Sequence, residues 1–257
     1  MNRSPILVGY YTMVRKDFMR IIRIWSQTLL PPAITMALYF AIFGTFIGSQ
    51  VDDIHGFPYI QFIVPGLIMM SVITSAYMNT VSTFYFAKWT RTIDELLVSP
   101  MPSWVVIAGF VSGGVMRAGL VGVIVVAVSL FFTHLTLFSV GIIFAAAFLT
   151  ALLFSFLGLV NGIFAKSFDA ISIVPTFVLT PLTYLGGVFY SVDQLPEIFR
   201  FLSLFNPILY MVNAFRYGFL GVSDVPLSLA FGVMGGLTVI SFIATIWLFH
   251  RGAGLKQ

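Results

Sequence analysis

Leu137 to Ala165 reads LFSVGIIFAAAFLTALLFSFLGLVNGIFA and contains no charged side chain. A helix needs about 20 apolar residues to cross roughly 30 Å of hydrocarbon, so this run is long enough to span a bilayer. Similar apolar runs occur five more times along the chain. The sequence therefore predicts six transmembrane spans, at residues 27–48, 60–87, 104–132, 137–165, 171–190 and 227–249.

Composition favours a membrane protein over a water-soluble one. Of 257 residues, 59% are hydrophobic and only 9% are charged, and the mean hydropathy is +1.03. Too few polar side chains remain to cover the surface of a soluble fold. We therefore expect an all-α, polytopic fold in which residues 1–257 form one membrane domain, with no segment left for a soluble catalytic domain.

The placement of the basic residues predicts the orientation of the chain. Of the 13 lysines and arginines, ten flank the spans on the side of the two termini, Arg117 lies within a span, and Arg200 and Arg216 lie on the opposite side. Basic residues are enriched in cytoplasmic segments, so both termini are predicted to be cytoplasmic. The same asymmetry accounts for the net charge of +4, and no nucleic-acid partner is expected.

Residues 8–25 are predicted to form an amphipathic helix. Tyr11, Val14, Phe18, Ile21, Ile22 and Trp25 recur at helical spacing, and Lys16, Arg20 and Arg23 share another face. The pattern is typical of a helix on the inner membrane surface, with its basic side toward anionic lipid headgroups. It is either a simple anchor or an elbow that meets a partner subunit.

Residues 88–100, between spans two and three, form the most polar cytoplasmic segment. They contain a short helical pattern that ends at Pro100. One interpretation is a solvated connector that carries orientation charges. The other is a docking helix, in which Leu96 and Leu97 hold the membrane domain while Arg91, Asp94 and Glu95 face a soluble partner.

The segment after span five is predicted to form two short external helices within residues 193–220. Gly186, Gly187 and Pro196 interrupt its start, and Asn206-Pro207 interrupts it again. These helices lie in the interface or dip into the membrane, where irregular backbone survives only inside protein. The glycine pairs Gly109/Gly113, Gly158/Gly162 and Gly232/Gly236 fit a close helix-packing pattern, which favours packing within the chain.

Catalytic motifs are missing from the sequence. It contains no G-x-x-x-x-G-K-[ST] phosphate loop, no H-E-x-x-H, no G-x-S-x-G and no spacing of histidine with carboxylates that indicates a metal site. The chain is therefore not expected to be an enzyme. Arg117 is the one charged residue predicted near the middle of a span, where it is costly. It is either paired with a carbonyl or Asn161, or in contact with a substrate or subunit.

Residues 179–216 resemble the signature of type-2 ATP-binding-cassette export permeases. The residues that carry the resemblance are Gly186, Leu195, Pro196, Pro207, Tyr210 and Arg216. The polar loop also resembles the coupling element of that family, in which an arginine, an acidic residue and a Leu-Leu pair precede a proline. The matching residues here are Arg91, Glu95, Leu96 and Leu97, before Pro100, and Asp94 is counted with them as a coupling residue.

The resemblance implies a permease of the bacterial inner membrane that pairs with itself, with membrane lipid and with two copies of a separate ATPase chain. ATP and Mg would bind the ATPase, and this chain would hold no cofactor or metal. Spans one and five would line the path, and their lack of charge suits an amphipathic or lipid-linked cargo. A proton- or ion-coupled secondary carrier is the alternative, and a non-transporting scaffold is a third.

Overall fold

The computed structural model describes residues 5–252 and residue 254, and these residues form helices and connecting turns with no β-sheet. Arg3, Lys256 and both chain ends, which belong to the predicted cytoplasmic face, lie outside the described residues. The helices are α1 Pro5–Arg23, α2 Trp25–Gln50, α3 Tyr59–Trp89, α4 Thr92–Val98, α5 Ser103–Ser129, α6 Val140–Phe164, α7 Phe168–Tyr184, α8 Glu197–Ser203, α9 Pro207–Leu220 and α10 Leu227–Arg251.

The all-α polytopic prediction is confirmed. Among the described residues, α2, α3, α5, α6 and α10 are long and apolar enough to cross a membrane, and α8 with α9 adds a sixth if that bent pair counts as one span. The predicted fifth span, 171–190, forms a helix only over Phe168–Tyr184. At 1.5 Å per residue this helix is about 25 Å long, at the short limit for a span. The chain turns after Tyr184, and Gly187 in this turn adopts a left-handed φ of 72°.

The central helix of the bundle is α3. In its most apolar window 78% of the residues are buried, against 11% for α2. Gly158 lets α6 approach α3 closely, since a Cβ atom there would lie 2.6 Å from the carbonyl oxygen of Tyr77. Gly162 packs against Phe84 of α3 in the same way, whereas Gly232 and Gly236 face open space. Two of the three glycine pairs therefore serve packing within the chain.

The outer segment differs from the simplest expectation of two surface helices. The axes of α8 and α9 form an angle of 88°. Most of α9 is buried, and it packs against α3, α6 and α10, whereas α8 remains largely exposed. Only α8 is thus a surface helix, and α9 is the part that enters the bundle. Asn206 and Pro207 make the corner, because proline is favoured in the first turn of a helix and the Asn206 side chain accepts a hydrogen bond from the Ile208 amide at 3.0 Å.

Candidate functional site

The predicted coupling helix, α4, follows directly on the end of α3. Arg91 makes the turn between them with a left-handed φ of 59°, which is uncommon for a residue other than glycine. Ile93 is fully buried in the bundle and Leu96 packs partly against it. Leu97 is 40% exposed, so the prediction that the Leu-Leu pair holds the membrane domain is wrong for Leu97. Ile93 takes that place, because it lies three residues before Leu96 on the inward face of the helix.

The outward face of α4 combines charge with apolar surface. Arg91, Asp94 and Glu95 are all exposed, and none of them forms an ion pair with another described residue. Leu97 and Val98 add apolar area on the same helix, and Val98 is 87% exposed. Unpaired charges beside exposed aliphatic side chains fit a protein docking surface, in which charges on the rim set the specificity of the partner. The structure thus presents the predicted coupling residues on one accessible element.

A buried polar network joins α1 to α3. The Arg20 guanidinium lies 2.7 Å from a carboxylate oxygen of Asp17 and donates to the Asn79 side-chain oxygen at 3.0 Å. The Asn79 amide donates in turn to Asp17 at 3.1 Å, and Arg20 also donates to the Thr83 hydroxyl. Arg20 therefore binds α3 as well as Asp17, while 39% of its side chain stays exposed, and its predicted contact with lipid headgroups remains a prediction. Whether α1 lies on the membrane surface remains a prediction.

The same helix packs along the first half of α5 at two glycines. A Cβ atom at Gly109 would lie 2.7 Å from the Met13 methyl, and one at Gly113 would overlap the carboxylate of Asp17. The four-residue spacing of Met13 and Asp17 matches that of the glycines, so one face of α1 fits against α5. This contact accounts for the Gly109/Gly113 pair. The outward face of α1 exposes Tyr11, Phe18 and Ile22 from the predicted apolar side, and Trp25, which begins α2 because α1 ends at Arg23, is exposed as well.

A cavity of about 310 Å³ separates α1 from α4. Lys16, Arg20 and Thr12 from α1 form its polar side, and Phe86 and Leu96 contribute apolar surface. The N-terminal helix and the coupling helix therefore share one recess at the same end of the bundle.

Lys88 links the end of α3 to α6, although the sequence suggested only an orientation charge. It is buried at the end of α3, and its ammonium donates to the carbonyl oxygens of Ile163 at 2.8 Å and Ala165 at 3.1 Å. These carbonyls close the C-terminal end of α6, where a cation is favourable. Movement of the α3 end would therefore be passed on to α6.

Arg117 contacts a backbone carbonyl, one of the two partners considered for a structural role. Its guanidinium donates to the carbonyl oxygen of Thr28 at 3.4 Å, and no described group accepts a hydrogen bond from its buried Nε. Asn161, the other candidate, does not contact it among the described hydrogen bonds. Because Thr28 lies in the first turn of α2, Arg117 is level with the start of span one although it lies mid-way along α5.

The signature residues around Gly186 build the turn that follows α7 and packs against α9. A Cβ atom at Gly186 would lie 2.8 Å from the Ile208 side chain, so only glycine allows the approach. Arg216 of α9 is fully buried and donates to the carbonyl oxygens of Gly187 at 2.6 Å and Phe62 at 3.3 Å. Its guanidinium also stacks on the Phe62 ring at 3.7 Å. Arg216 therefore ties the outer turn to the start of α3.

The remaining signature residues shape α8 and α9. Leu195 and Pro196 precede α8, and Pro196 is its N-cap. Pro207 begins α9, and the Tyr210 hydroxyl donates to the Leu204 carbonyl at 2.7 Å across the corner. Asn206, which the sequence marked only as a break, also donates to the Leu182 carbonyl at 2.6 Å. All of these residues position backbone, and none presents a reactive group.

Spans one and five meet at an aromatic cluster of Tyr39, Phe43, Tyr184 and Phe189. The hydroxyls of Tyr39 and Tyr184 lie 3.0 Å apart, and the rings of Phe43 and Phe189 are 4.8 Å apart. Within the described residues, wide π-helical turns occur in these two helices alone, at Phe40–Ile47 in α2 and Pro175–Leu179 in α7. Such turns are rare in proteins overall, and those that occur are often found at functional sites.

Known proteins resemble this chain over most of its length. The family described as ABC-2 type transporter matches residues 9–220. Inner membrane transport permease YadH of Escherichia coli (strain K12) is 57% identical over 243 residues, which cover 94% of each chain. Nodulation protein J of Rhizobium leguminosarum bv. viciae is 28% identical over 219 residues, which cover 83% of each chain.

Proposed function

The chain belongs to the ABC-2 type transporter family, and we propose that it is the permease subunit of an ATP-driven exporter. The family assignment agrees with the resemblance that the sequence carries and with a multi-pass permease of the inner membrane. Beyond this, we propose that the chain works as a homodimer with two copies of a separate ATPase. Its cargo is an amphipathic or lipid-linked molecule that leaves the cytoplasm.

The observation that carries the proposal is the exposed face of α4. Arg91, Asp94 and Glu95 have no ion-pair partner among the described residues, while Ile93 fixes the opposite face of the helix in the bundle. A segment of seven residues cannot form a catalytic site, so its free charges act through a docked chain. Because the sequence has no phosphate loop, that chain supplies the ATP site and the Mg.

Contacts around α4 supply a route by which a docked ATPase moves the spans. The helix follows α3 after a two-residue turn, and α3 holds α1 through Asn79 and α6 through Lys88. A displacement of α4 therefore reaches three helices through short polar contacts. When the two ATPases bind nucleotide and approach each other, they would rotate these three helices together in both permease subunits.

The exposure of α2 supports a homodimer with the path at its seam. Ile34, Leu38, Ile42 and Phe46 form a stripe of exposed side chains at four-residue spacing on α2. Lipid can cover such a stripe, but the same helix carries a π-helical turn and meets the aromatic cluster of span five. Neither helix contributes a charged side chain to that cluster. An uncharged aromatic lining suits an amphipathic or lipid-linked cargo better than an inorganic ion.

The secondary carrier has little support. A proton-coupled carrier needs a carboxylate that titrates within the spans. The buried carboxylate of α1, Asp17, is paired with Arg20 and Asn79. The scaffold interpretation is disfavoured by the transport permease named among the relatives.

The chain purified from its native membranes with an affinity tag is expected to bring with it an ATPase that contains a phosphate loop, in equal copy number. Glu95→Arg should abolish stimulation of that ATPase by the permease while the permease still inserts, because loss of one member of a partly buried ion pair costs about 2 to 5 kcal/mol. Asp169→Arg is the matched control, since Asp169 is an exposed acid on a separate element, in the first turn of α7. Equal activity of the two variants would assign Glu95 to a solvated connector.

The orientation is tested with single cysteines, since the chain has none of its own. The Asp52→Cys and Asp193→Cys variants should react with a membrane-impermeant maleimide in intact cells, and the Glu95→Cys variant only after permeabilisation. The expectation rests on the asymmetry of the basic residues. Labelling of Glu95→Cys in intact cells would show that the orientation is the reverse of the predicted one and that α4 does not face the cytoplasm.

A further inference from the structure

Three potential metal ligands meet at the end of the bundle opposite α4. One ligand atom each from His55, Asp193 and Asp224 lies within 4.8 Å of the other two. His55 belongs to the turn between α2 and α3, Asp193 to the turn before α8, and Asp224 to the segment before α10. His55 and Asp224 are 169 positions apart in the sequence, so residue spacing could not reveal the group.

Asp224 is a buried carboxylate that lacks a permanent cation. Its side chain is only 2% exposed, and no lysine or arginine in the described part of the chain lies within ion-pair distance of it. Its oxygens accept hydrogen bonds from the Ser191 hydroxyl at 2.9 Å and the Val192 amide at 3.0 Å. Arg216, which is also buried nearby, directs its guanidinium at the carbonyls of Phe62 and Gly187. A buried carboxylate is stable when a positive charge compensates it. The group that faces Asp224 here is the His55 imidazole, whose Nε2 lies 3.3 Å from the Asp224 Oδ1 and 3.2 Å from the Ser191 hydroxyl.

The geometry of His55 and Asp224 matches two ligands of one zinc ion. The distance from the His55 Nε2 to the Asp224 Oδ1 is 3.3 Å. Two ligands on a tetrahedral Zn²⁺ with bonds of 2.0 to 2.1 Å are also separated by about 3.3 Å. The hydrogen bonds to Asp224 fix the direction of its carboxylate, as groups behind a metal ligand do.

Asp193 completes the set after a small side-chain movement. It is exposed and now pairs with Arg200 at 2.8 Å, so a metal ion competes with that exposed ion pair. Exposed ion pairs contribute about 1 kcal/mol or less, and a divalent ion between two carboxylates outweighs them. One imidazole with two carboxylates is a donor set suited to Zn²⁺.

We propose that His55, Asp193 and Asp224 form a zinc site that joins three outer segments of the permease. The bound ion would hold the turn after α2, the turn before α8 and the segment before α10 together, and so stabilise the closed arrangement of the outer end. The proposal stands whether or not the transport is driven by ATP, because it rests on these outer residues alone.

The test is titration of the purified protein with Zn²⁺ by calorimetry, after treatment with a chelator and without a histidine tag. One saturable site is expected in the wild type. Asp193→Asn and His55→Gln should each raise the dissociation constant for Zn²⁺ by roughly 10-fold or more. Each removes a direct ligand, and even the loss of a group behind a ligand has an effect of this size. Asp52→Asn and His134→Gln are matched controls from outer loops and should bind as the wild type does.

Arg200→Gln is expected to change the affinity for Zn²⁺ in the opposite direction. It frees Asp193 from its ion pair, so Zn²⁺ should bind more tightly than to the wild type. Thermal unfolding with chelator present checks that the Asp193→Asn and His55→Gln variants remain folded. Absence of a saturable site in the wild type, or equal affinity of Asp193→Asn and Asp52→Asn, would overturn the proposal.

Discussion

Arg117 has little in the structure to compensate its charge. Its guanidinium makes one long hydrogen bond, 3.4 Å to the Thr28 carbonyl, and its buried Nε finds no acceptor in the described part of the chain. An arginine in the middle of a transmembrane helix costs about 2.5 to 3.5 kcal/mol on insertion scales. The position beside the first turn of α2 reduces this cost, since long side chains there extend toward the membrane interface.

Arg117→Leu should therefore keep or raise the melting temperature of the purified protein and leave transport unchanged. Leucine removes the charge and retains apolar volume, and loss of one weak hydrogen bond costs about 1 kcal/mol. Thermal unfolding and transport are measured on the same preparation, with Arg117→Lys beside it. A leucine variant that is stable but inactive, and a lysine variant with partial activity, would place Arg117 on the transport path instead.

For several residues, the sequence shows the chemical type of the side chain but not the partners that it contacts. The helical period places Arg20 on a face of α1, yet its partners Asn79 and Thr83 lie about 60 positions away, and no local pattern indicates them. Asp17 carries no sequence signal for the same reason. By contrast, the exposed charges Arg91, Asp94 and Glu95 were predicted correctly as accessible, because a polar segment between two apolar runs must lie outside the membrane.

At the scale of elements, α1 and α5 depend on two glycines for their close contact. Asp17 occupies the space that a side chain at Gly113 would need, and Met13 does the same at Gly109. This contact positions the Asp17–Arg20 pair so that Asp17 accepts a hydrogen bond from Asn79. The position of the N-terminal helix therefore depends on the absence of two Cβ atoms.

Gly113→Ala should lower the free energy of unfolding by about 1 to 3 kcal/mol, the usual cost of overpacking. It should also speed proteolysis of α1, because the helix must move away from α5. Gly119→Ala is the control in the same helix: no described atom lies within 4 Å of its Cβ position, and alanine favours a helix by up to about 1 kcal/mol. Similar stability of the two variants would show that α1 does not pack at Gly113.

The long elements could be predicted from hydropathy, and the outer segment could not be predicted fully. The ends of the predicted spans 60–87 and 137–165 lie within three residues of the ends of α3 and α6. A long apolar run in a bilayer must form a helix, because only a helix satisfies all of its backbone hydrogen bonds within the segment. The apolar residues of α9 fit equally well on a surface or inside the bundle. Its burial depends on Arg216 reaching Gly187 and Phe62, which are distant in sequence.

For the molecule as a whole, the distribution of buried and exposed helices is consistent with the proposed permease subunit. The central helix α3 connects the coupling helix, the N-terminal helix and α6, whereas α2 remains the least buried of the long helices. An exposed α4 at one end and an exposed α2 along the side leave two surfaces for other chains. In the proposed complex, the ATPase docks on the first surface and a second permease on the other.

The most direct test of ATPase docking on α4 is crosslinking in native membranes. The Glu95→Cys variant, with its single thiol, is treated with a reagent that joins a cysteine to any protein within reach after illumination. ATPase docking on α4 predicts a product that contains this chain of 28.4 kDa and an ATPase with a phosphate loop, and no such product from Asp52→Cys at the opposite end. The same products from both variants, or none with an ATPase from Glu95→Cys, would contradict it.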